Sequence, residues 1–200
     1  MEWGERTLII IRHGETDWNR IGRLQGQRDT PLNDTGRSQA RRNGTALGRY
    51  MAEIDMKPED FTWFASPMSR TRETLDLVLE NLPTQNIPCR FDDRLKEFTF
   101  GDWEGQILSD LKRRVPDAYR ARREDKWHFQ PPNGESYRML RDRVSPWLDG
   151  TDGNLVIVTH GGVIRVLWHL LENRPTDQVT EEEVRQDKIY VFRHGRPSFV

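Results

Sequence analysis

Two histidines in this chain stand where a histidine can do chemistry. The first lies in Arg12-His13-Gly14-Glu15, directly after the apolar run Leu8 to Ile11. The second opens His160-Gly161-Gly162, directly after Asn154 to Thr159, NLVIVT. A neutral imidazole is both a nucleophile and a proton carrier near neutral pH. The guanidinium of Arg12 adds a fixed charge whose fork matches the oxygens of phosphate or carboxylate. The glycine pair after His160 leads straight into an apolar helix, Val163 to Leu171, so backbone N–H groups point beyond the strand, a favourable place for an anion. A third cation, Arg70, falls in the first turn of a helix, where positive charge opposes the helix dipole. An anion held there reverses that penalty; a solvated arginine on an exposed turn is the plainer alternative. Glu97 lies in a charged run, DDRLKEFTFGDWEG, where an acidic side chain is ordinarily just solvated.

The elements that must position these groups are strands and the helices behind them. Three of the four residues Leu8 to Ile11 are β-branched, which reads as a short strand buried on both faces. NLVIVT is a second strand of the same kind. In an open α/β sheet, ligands sit in the crevice beyond the carboxyl ends of the strands, so both histidines are placed at that edge. Gly14 is expected to let the backbone approach a bound group closely and turn away. Residues 20–31 are polar, glycine-bearing and proline-terminated, a loop that either crosses the surface or folds over the strand end beside His13. Asn33 or Thr35 caps a helix running to about Met51. Phe61 to Ala65 reads as a strand ending in Ser66-Pro67, followed by a helix from about Ser69 to Leu82 with an apolar side. Cys89 to Phe91 is a weaker strand candidate, after a connector from Pro83 to Pro88. Residues 109–127 have helical tendency, are interrupted by Pro116 and are rich in arginine. They read as surface helices with charge pairs, the alternative being a basic lid that selects an anionic substrate. A helix from about Ser136 to Leu148 should be interrupted or bent near Pro146. The tail, residues 173–200, ends in the strand-like KIYVFRHG and a short coil.

Bulk properties set outer limits. The chain has 200 residues, 32% of them charged, with a formal net charge of −1. That is one domain's worth of chain, and it lacks the basic excess expected of a nucleic-acid partner. No apolar run is long enough to span a membrane. The opening Met-Glu-Trp-Gly-Glu-Arg does not read as a secretory signal, and the single cysteine, Cys89, excludes an intrachain disulfide. A cytoplasmic location is expected. The histidines show no HExxH or Cys/His ligand spacing and there is no GxxxxGK[ST] loop, so neither a metal nor a nucleotide cofactor is expected.

RHGET followed by Trp18 and Asn19 resembles the signature of the histidine phosphatase superfamily, the phosphoglycerate mutase-like group. A second Arg-His-Gly, Arg193-His194-Gly195, lacks these flanking residues and is read as coincidence. Further matches follow in the family's order. SPMSRTRET resembles its second motif, with Arg70 at the phosphate-binding position. Leu95, Glu97, Phe98, Phe100, Gly101 and Gly105 match a pattern whose glutamate is the proton donor, with Asp93 and Asp102 as rivals. PPNGES resembles an element of the phosphatase-like branch, and His160-Gly161 the fourth motif. The resemblance spans Thr7 to about Leu171. It implies a three-layer α/β/α sandwich with a mostly parallel central sheet, forming a single catalytic domain (1–200) with residues 95–150 as a helical and loop cap. It also implies that Asn19, Gln25, Gly26 and Gly161 contact phosphate or frame the site. Lys188 is placed near the site on a loose alignment.

The reaction inferred is phosphoryl transfer to nitrogen. Neutral His13 attacks phosphorus, its pKa lowered by the nearby arginines. A backbone carbonyl must hold its other ring N–H. Protonated His160, with Arg12 and Arg70, stabilises the equatorial oxygens. Glu97 protonates the leaving alkoxide, a bound dianion favouring its protonated form. The partner is a small phosphorylated substrate; a monomer and a homodimer both remain open. Cofactor-dependent mutases carry a longer insertion after the glutamate motif and a closing C-terminal tail. This chain is short in both places, which favours hydrolysis by water over return of the phosphoryl group. A phosphoglycerate mutase is the alternative, and a catalytically inert phosphate-binding module is disfavoured because His13, Arg12, Arg70, Glu97 and His160 are all present.

Overall fold

Alternation along the strands dictates the layering. In β1 (Thr7–Arg12), Leu8 and Ile10 face one side of the sheet and Ile9 and Ile11 the other, and all four are buried. β4 (Asn154–Thr159) repeats this with Leu155 and Ile157 against Val156 and Val158. A strand buried on both faces needs a helical layer on each. The computed structural model, which describes residues 6–84 and 86–200, supplies both. The reading of the opening residues 1–5 and the place of Gln85 in its connector lie outside the described residues.

One layer holds α2 (Asp34–Glu53) and α3 (Ser69–Leu79), whose Leu47, Met51, Leu75 and Val78 pack with Ile9, Ile11, Trp63 and Val158. The other holds α6 (Tyr137–Asp149) and α7 (Gly161–Glu172), whose Leu140, Val144, Trp147, Val163 and Leu167 pack with Leu8, Ile10 and Ile157. Between them lies a six-stranded sheet in the order β3-β2-β4-β1-β5-β6, completed by β2 (Phe61–Ala65), β3 (Cys89–Phe91), β5 (Ile189–Arg193) and β6 (Arg196–Phe199). β1 to β4 are mutually parallel, whereas β5 is antiparallel to β1 and β6 to β5. The three-layer, mostly parallel architecture is therefore the one expected.

β1 and β4 are neighbours, with Arg12 opposite Thr159. The chain after β1 leads to α2 on one face, and the chain after β4 turns into α7 on the other. Divergence of this kind opens a crevice between two strand ends. The two histidines sit at its floor.

Several elements differ from expectation. α6 runs through Pro146 without interruption, because the proline lies in its last turn and removes a single backbone bond. Ser136 caps that helix by accepting from Met139 N–H. Of the 95–150 stretch, α6 belongs to a sheet-covering layer, while α4 (Leu108–Arg114) and α5 (Pro116–Glu124) rest over the strand ends. The tail adds a helix, α8 (Thr176–Glu181), and its final stretch is strand β6 rather than coil. The second Arg-His-Gly forms the β5–β6 hairpin turn, with His194 at φ 51° and Gly195 at φ 69°. A short helix, α1 (Asp17–Arg20), follows the first copy.

Candidate active site

The floor of the crevice is built by register. His13 N–H donates to the Thr159 carbonyl at 2.9 Å, continuing the β1–β4 ladder one residue past the strand. That carries His13 beside His160, with ring centroids 5.2 Å apart in an edge-to-face arrangement. His13 is 3% exposed and His160 is fully buried.

The His13 ring is oriented from both ends. Nδ1 lies 2.8 Å from the Gly14 carbonyl oxygen, an acceptor only, so Nδ1 carries the proton. Nε2 therefore holds the lone pair, and Arg70 Nε–H donates to it at 3.3 Å. The carbonyl that the chemistry demanded is thus that of the next residue. Burial, then the charges of Arg70 and Arg12, hold the His13 pKa well below the ordinary imidazole value. The direction is as expected, but burial outweighs the arginines.

Gly14 serves a different purpose from the one expected. Its φ is not positive, and a Cβ there would lie 2.3 Å from the Gly36 carbonyl oxygen. The residue is small because the start of α2 passes against it. Its N–H donates to Thr74 Oγ1, which in turn donates to the Arg70 carbonyl, so α3 is tied to the loop that bears His13.

Arg70 is buried in the first turn of α3 and is pinned by two loop carbonyls, those of Arg28 and Gly26, each at 2.9 Å. Burial lowers its pKa, with Glu97 the leading opposing charge. Gly26 adopts φ 53°, and a Cβ would meet Glu104 Oε1. That carboxylate accepts from Gln27 N–H, Thr99 Oγ1 and Phe100 N–H, stitching the 25–28 loop to the segment that bears Glu97. Gln25 is buried and accepts from Thr30 Oγ1. Residues 20–31 thus fold over the strand end.

Arg12 donates from Nη1 to the Val184 carbonyl, while its buried Nε has no partner among the described residues. Burial and the neighbouring Arg165 bring its pKa down to about 10. Glu97 sits at the start of α7: Oε2 accepts from Gly162 N–H at 3.0 Å and Oε1 from Phe98 N–H at 3.2 Å. One backbone donor expected to face an anion therefore already holds a carboxylate.

The setting of His160 differs from that of His13. Burial, followed by Arg70, His13 and Arg12, holds its pKa well below the ordinary value, so the ring is neutral here, not protonated. It also lies beneath the cleft, not on its wall. Its Nε2 is 2.8 Å from Ser66 Oγ, at the end of β2, and its Nδ1 has no partner among the described residues.

The cleft above has a volume of about 390 Å³. Arg12, His13, Asn19, Gln25, Gly26, Arg70, Glu97 and Gly161 all line it. So do Arg23, Arg122, Lys126 and Arg165, and an apolar wall of Phe98, Phe100, Leu108 and Tyr137. Residues 109–127 are therefore more than a solvated surface, since Arg122 and Lys126 reach the cleft. Burial lowers the pKa of both, helped at Lys126 by the charge of Arg122. Lys188 is exposed and does not line the cleft; Gln186, two residues earlier, donates to the His13 carbonyl and to Asn19 Oδ1. Among the described residues there is no cluster of three or more metal-ligating side chains, and no helix is long and apolar enough to cross a membrane.

Known proteins resemble this chain in sequence and in fold. The family model of the histidine phosphatase superfamily, branch 1, aligns with residues 8–200. The chain is 32% identical to a glucosyl-3-phosphoglycerate phosphatase of Mycolicibacterium vanbaalenii, covering 86% of this chain and 76% of that one. It is 29% identical to a 2,3-bisphosphoglycerate-dependent phosphoglycerate mutase of Methylobacterium radiotolerans, covering 94% and 90%. The native structure of a mycobacterial glucosyl-3-phosphoglycerate phosphatase superposes with a TM-score of 0.76 at 29% identity, covering 93% of this chain and 89% of that one.

Proposed function

The chain belongs to the histidine phosphatase superfamily, and we propose that within it the chain is a phosphomonoesterase that hydrolyses a small phosphorylated metabolite through a phosphohistidine on His13. The observation that carries this reading is the state of His13. Its Nδ1–H is fixed on the Gly14 carbonyl, and its Nε2 lone pair lies at a cleft walled by Arg12 and Arg70.

In the first step Nε2 attacks phosphorus, the N–P bond forms and the ester P–O bond breaks. Arg70, already at Nε2, transfers its donor to a phosphoryl oxygen, and Arg12 offers its Nε, which has no partner among the described residues. The leaving alkoxide takes the proton that Glu97 carries as the carboxylic acid in this step, which leaves Glu97 as the carboxylate. In the second step water attacks phosphorus, Glu97 takes the water's proton, and neutral His13 is released with inorganic phosphate. His160 begins neutral beneath His13. A bound dianion favours its protonation, and the added charge then supports the transferring group from below.

The supply of positive charge exceeds what a single phosphoryl group requires. Besides Arg12 and Arg70, the cleft holds Arg23, Arg122, Lys126 and Arg165, against the one carboxylate of Glu97. The proposed substrate therefore bears a second acidic group toward α5, with its body against Phe98, Phe100 and Tyr137. Arg122→Ala should raise KM about tenfold for an ester with a second acidic group and little for a simple aryl phosphate. Equal effects on both would remove this part of the reading.

The scheme uses no metal. Phosphate release from an aryl phosphate should be unaffected by a strong chelator; a panel of phosphate esters giving no release would contradict the proposal. A mutase is the second reading, supported by relatives named for that activity. It predicts isomerisation of 3-phosphoglycerate that depends on a bisphosphorylated primer.

A further inference from the structure

The segment after α8 carries no motif, yet it touches the site at several points. The Glu182 carbonyl accepts from Arg165 Nε at 2.9 Å, and the Val184 carbonyl from Arg12 Nη1. Gln186 then reaches the nucleophile's loop itself. Its Nε2 donates to the His13 carbonyl at 3.1 Å and to Asn19 Oδ1 at 3.1 Å, using both of its hydrogens. The Gln186 carbonyl accepts from Asn43 Nδ2 in α2, which holds the backbone in place. Further back, Arg174 pairs with Glu172 and Glu182, so the segment is braced to α7.

Asn19 is the group this brace acts on. Its Oδ1 accepts from Thr16 N–H and Thr16 Oγ1 as well as from Gln186. With the oxygen so occupied, the amide has one orientation, and Nδ2 is the end left to the cleft that Asn19 lines. A flipped amide would set Nδ2 against Gln186 Nε2, donor against donor, and would turn an oxygen toward the bound anion.

We propose that Gln186 is a positioning residue of this site: it fixes the Asn19 amide with its N–H donors toward the phosphoryl group and anchors the His13 peptide carbonyl. The proposal rests on the phosphatase reading above. Replacement by glutamate reverses the local logic. A carboxylate at position 186 only accepts, so it sets acceptor against acceptor at both the His13 carbonyl and Asn19 Oδ1, while Thr16 N–H still requires that oxygen; no orientation of the amide then satisfies both neighbours.

The test is calorimetric titration with inorganic phosphate, alongside kcat and KM on an aryl phosphate. Gln186→Met should weaken phosphate binding about tenfold, the worth of one hydrogen bond to a charged group. Gln186→Glu should weaken it further and raise KM more than it lowers kcat. Asn19→Ala should cost about as much as Gln186→Met, and in the Asn19→Ala background Gln186→Met should add less than twofold. Losses that multiply in the double variant would show that Gln186 does not act through Asn19 and would overturn the proposal. Wild-type phosphate affinity in Gln186→Glu, a variant of the same size, would overturn it even if Gln186→Met does not fold. A wild-type protein that binds phosphate but hydrolyses no ester would remove the phosphatase reading, while the titrations still decide the role of Gln186. A wild-type protein that binds no phosphate would end both.

Discussion

The same tripeptide, Arg-His-Gly, occurs twice in this chain and comes to opposite ends of one sheet. Arg12-His13-Gly14 closes β1, whose carboxyl end opens on the cleft. Arg193-His194-Gly195 closes β5, which pairs antiparallel to β1 so that Arg193 lies opposite Thr7, at the far end of the same strand. Strand direction puts one copy at the cleft and the other at a hairpin turn. Backbone and burial complete the difference. His13 is buried, and its ring is held by the Gly14 carbonyl and Arg70. His194 is exposed in the left-handed region at φ 51°, the conformation a tight hairpin requires. His13 combines a fixed tautomer, a held ring and nearby fixed charge, whereas His194 stands in an exposed hairpin turn.

The comparison can be broken most decisively by replacing each histidine in turn. His13→Ala should lower kcat/KM on an aryl phosphate by at least ~10³-fold, as for other covalent nucleophiles, whereas His194→Ala should stay within about twofold. Steady-state rates on both variants decide it, and a large loss from His194→Ala would undo the contrast.

The glycines sharpen it next. A Cβ on Gly14 would lie 2.3 Å from the Gly36 carbonyl oxygen, backbone against backbone, so Gly14→Ala should cost about 3 kcal/mol or more of stability. A Cβ on Gly195 meets nothing within 4 Å, and only its φ of 69° resists substitution. Gly195→Ala should therefore cost about 1 kcal/mol. Denaturant unfolding of the two variants would separate steric from conformational cost; equal losses would contradict the assignment.

Stability against pH gives the smallest and most specific signal. His13 and His160 have folded-state pKa values held below the ordinary 6.5, chiefly by burial. The unfolded chain thus binds protons at these positions before the folded chain does. Stability is complete above about pH 6.5 and falls as the pH drops below it, by at most about 1.4 kcal/mol per pH unit for each histidine. His13→Asn should make that decline shallower in thermal melts between pH 7.5 and 5. An unchanged slope would mean that His13 is not held neutral by the fold.

What could be read from sequence had a local signature. β1 and β4 announce themselves through β-branched runs, and His13 and His160 through their position at the ends of those runs. Arg70 at its helix N-terminus left a solvated alternative open, and both it and Glu97 needed the family pattern. The approach of Arg122 and Lys126 to the cleft was not legible, because they sit in a charge-rich stretch that reads the same whether it is solvated or faces a cleft. Gln186, Glu104 and Ser66 were invisible for another reason. Each acts on a partner far away in the chain: Gln186 on the His13 carbonyl, Glu104 on the 25–28 loop and Ser66 on His160. No spacing rule reports such a contact. The burial that holds His160 neutral in the ligand-free site is visible only in the packed fold. Pro146 misled because a proline's cost depends on where in a helix it falls.

The central claim is that His13, and no other group, carries the phosphoryl moiety between ester and water. Rapid quenching of the enzyme during turnover of an aryl phosphate, followed by peptide mass spectrometry under conditions that preserve phosphoramidates, tests it directly. The account predicts one phosphoryl group on the peptide containing His13, formed and consumed at rates compatible with turnover and absent from His13→Ala. Phosphate release without a phosphorylated His13, or a phosphoryl group carried by a different residue, would contradict it.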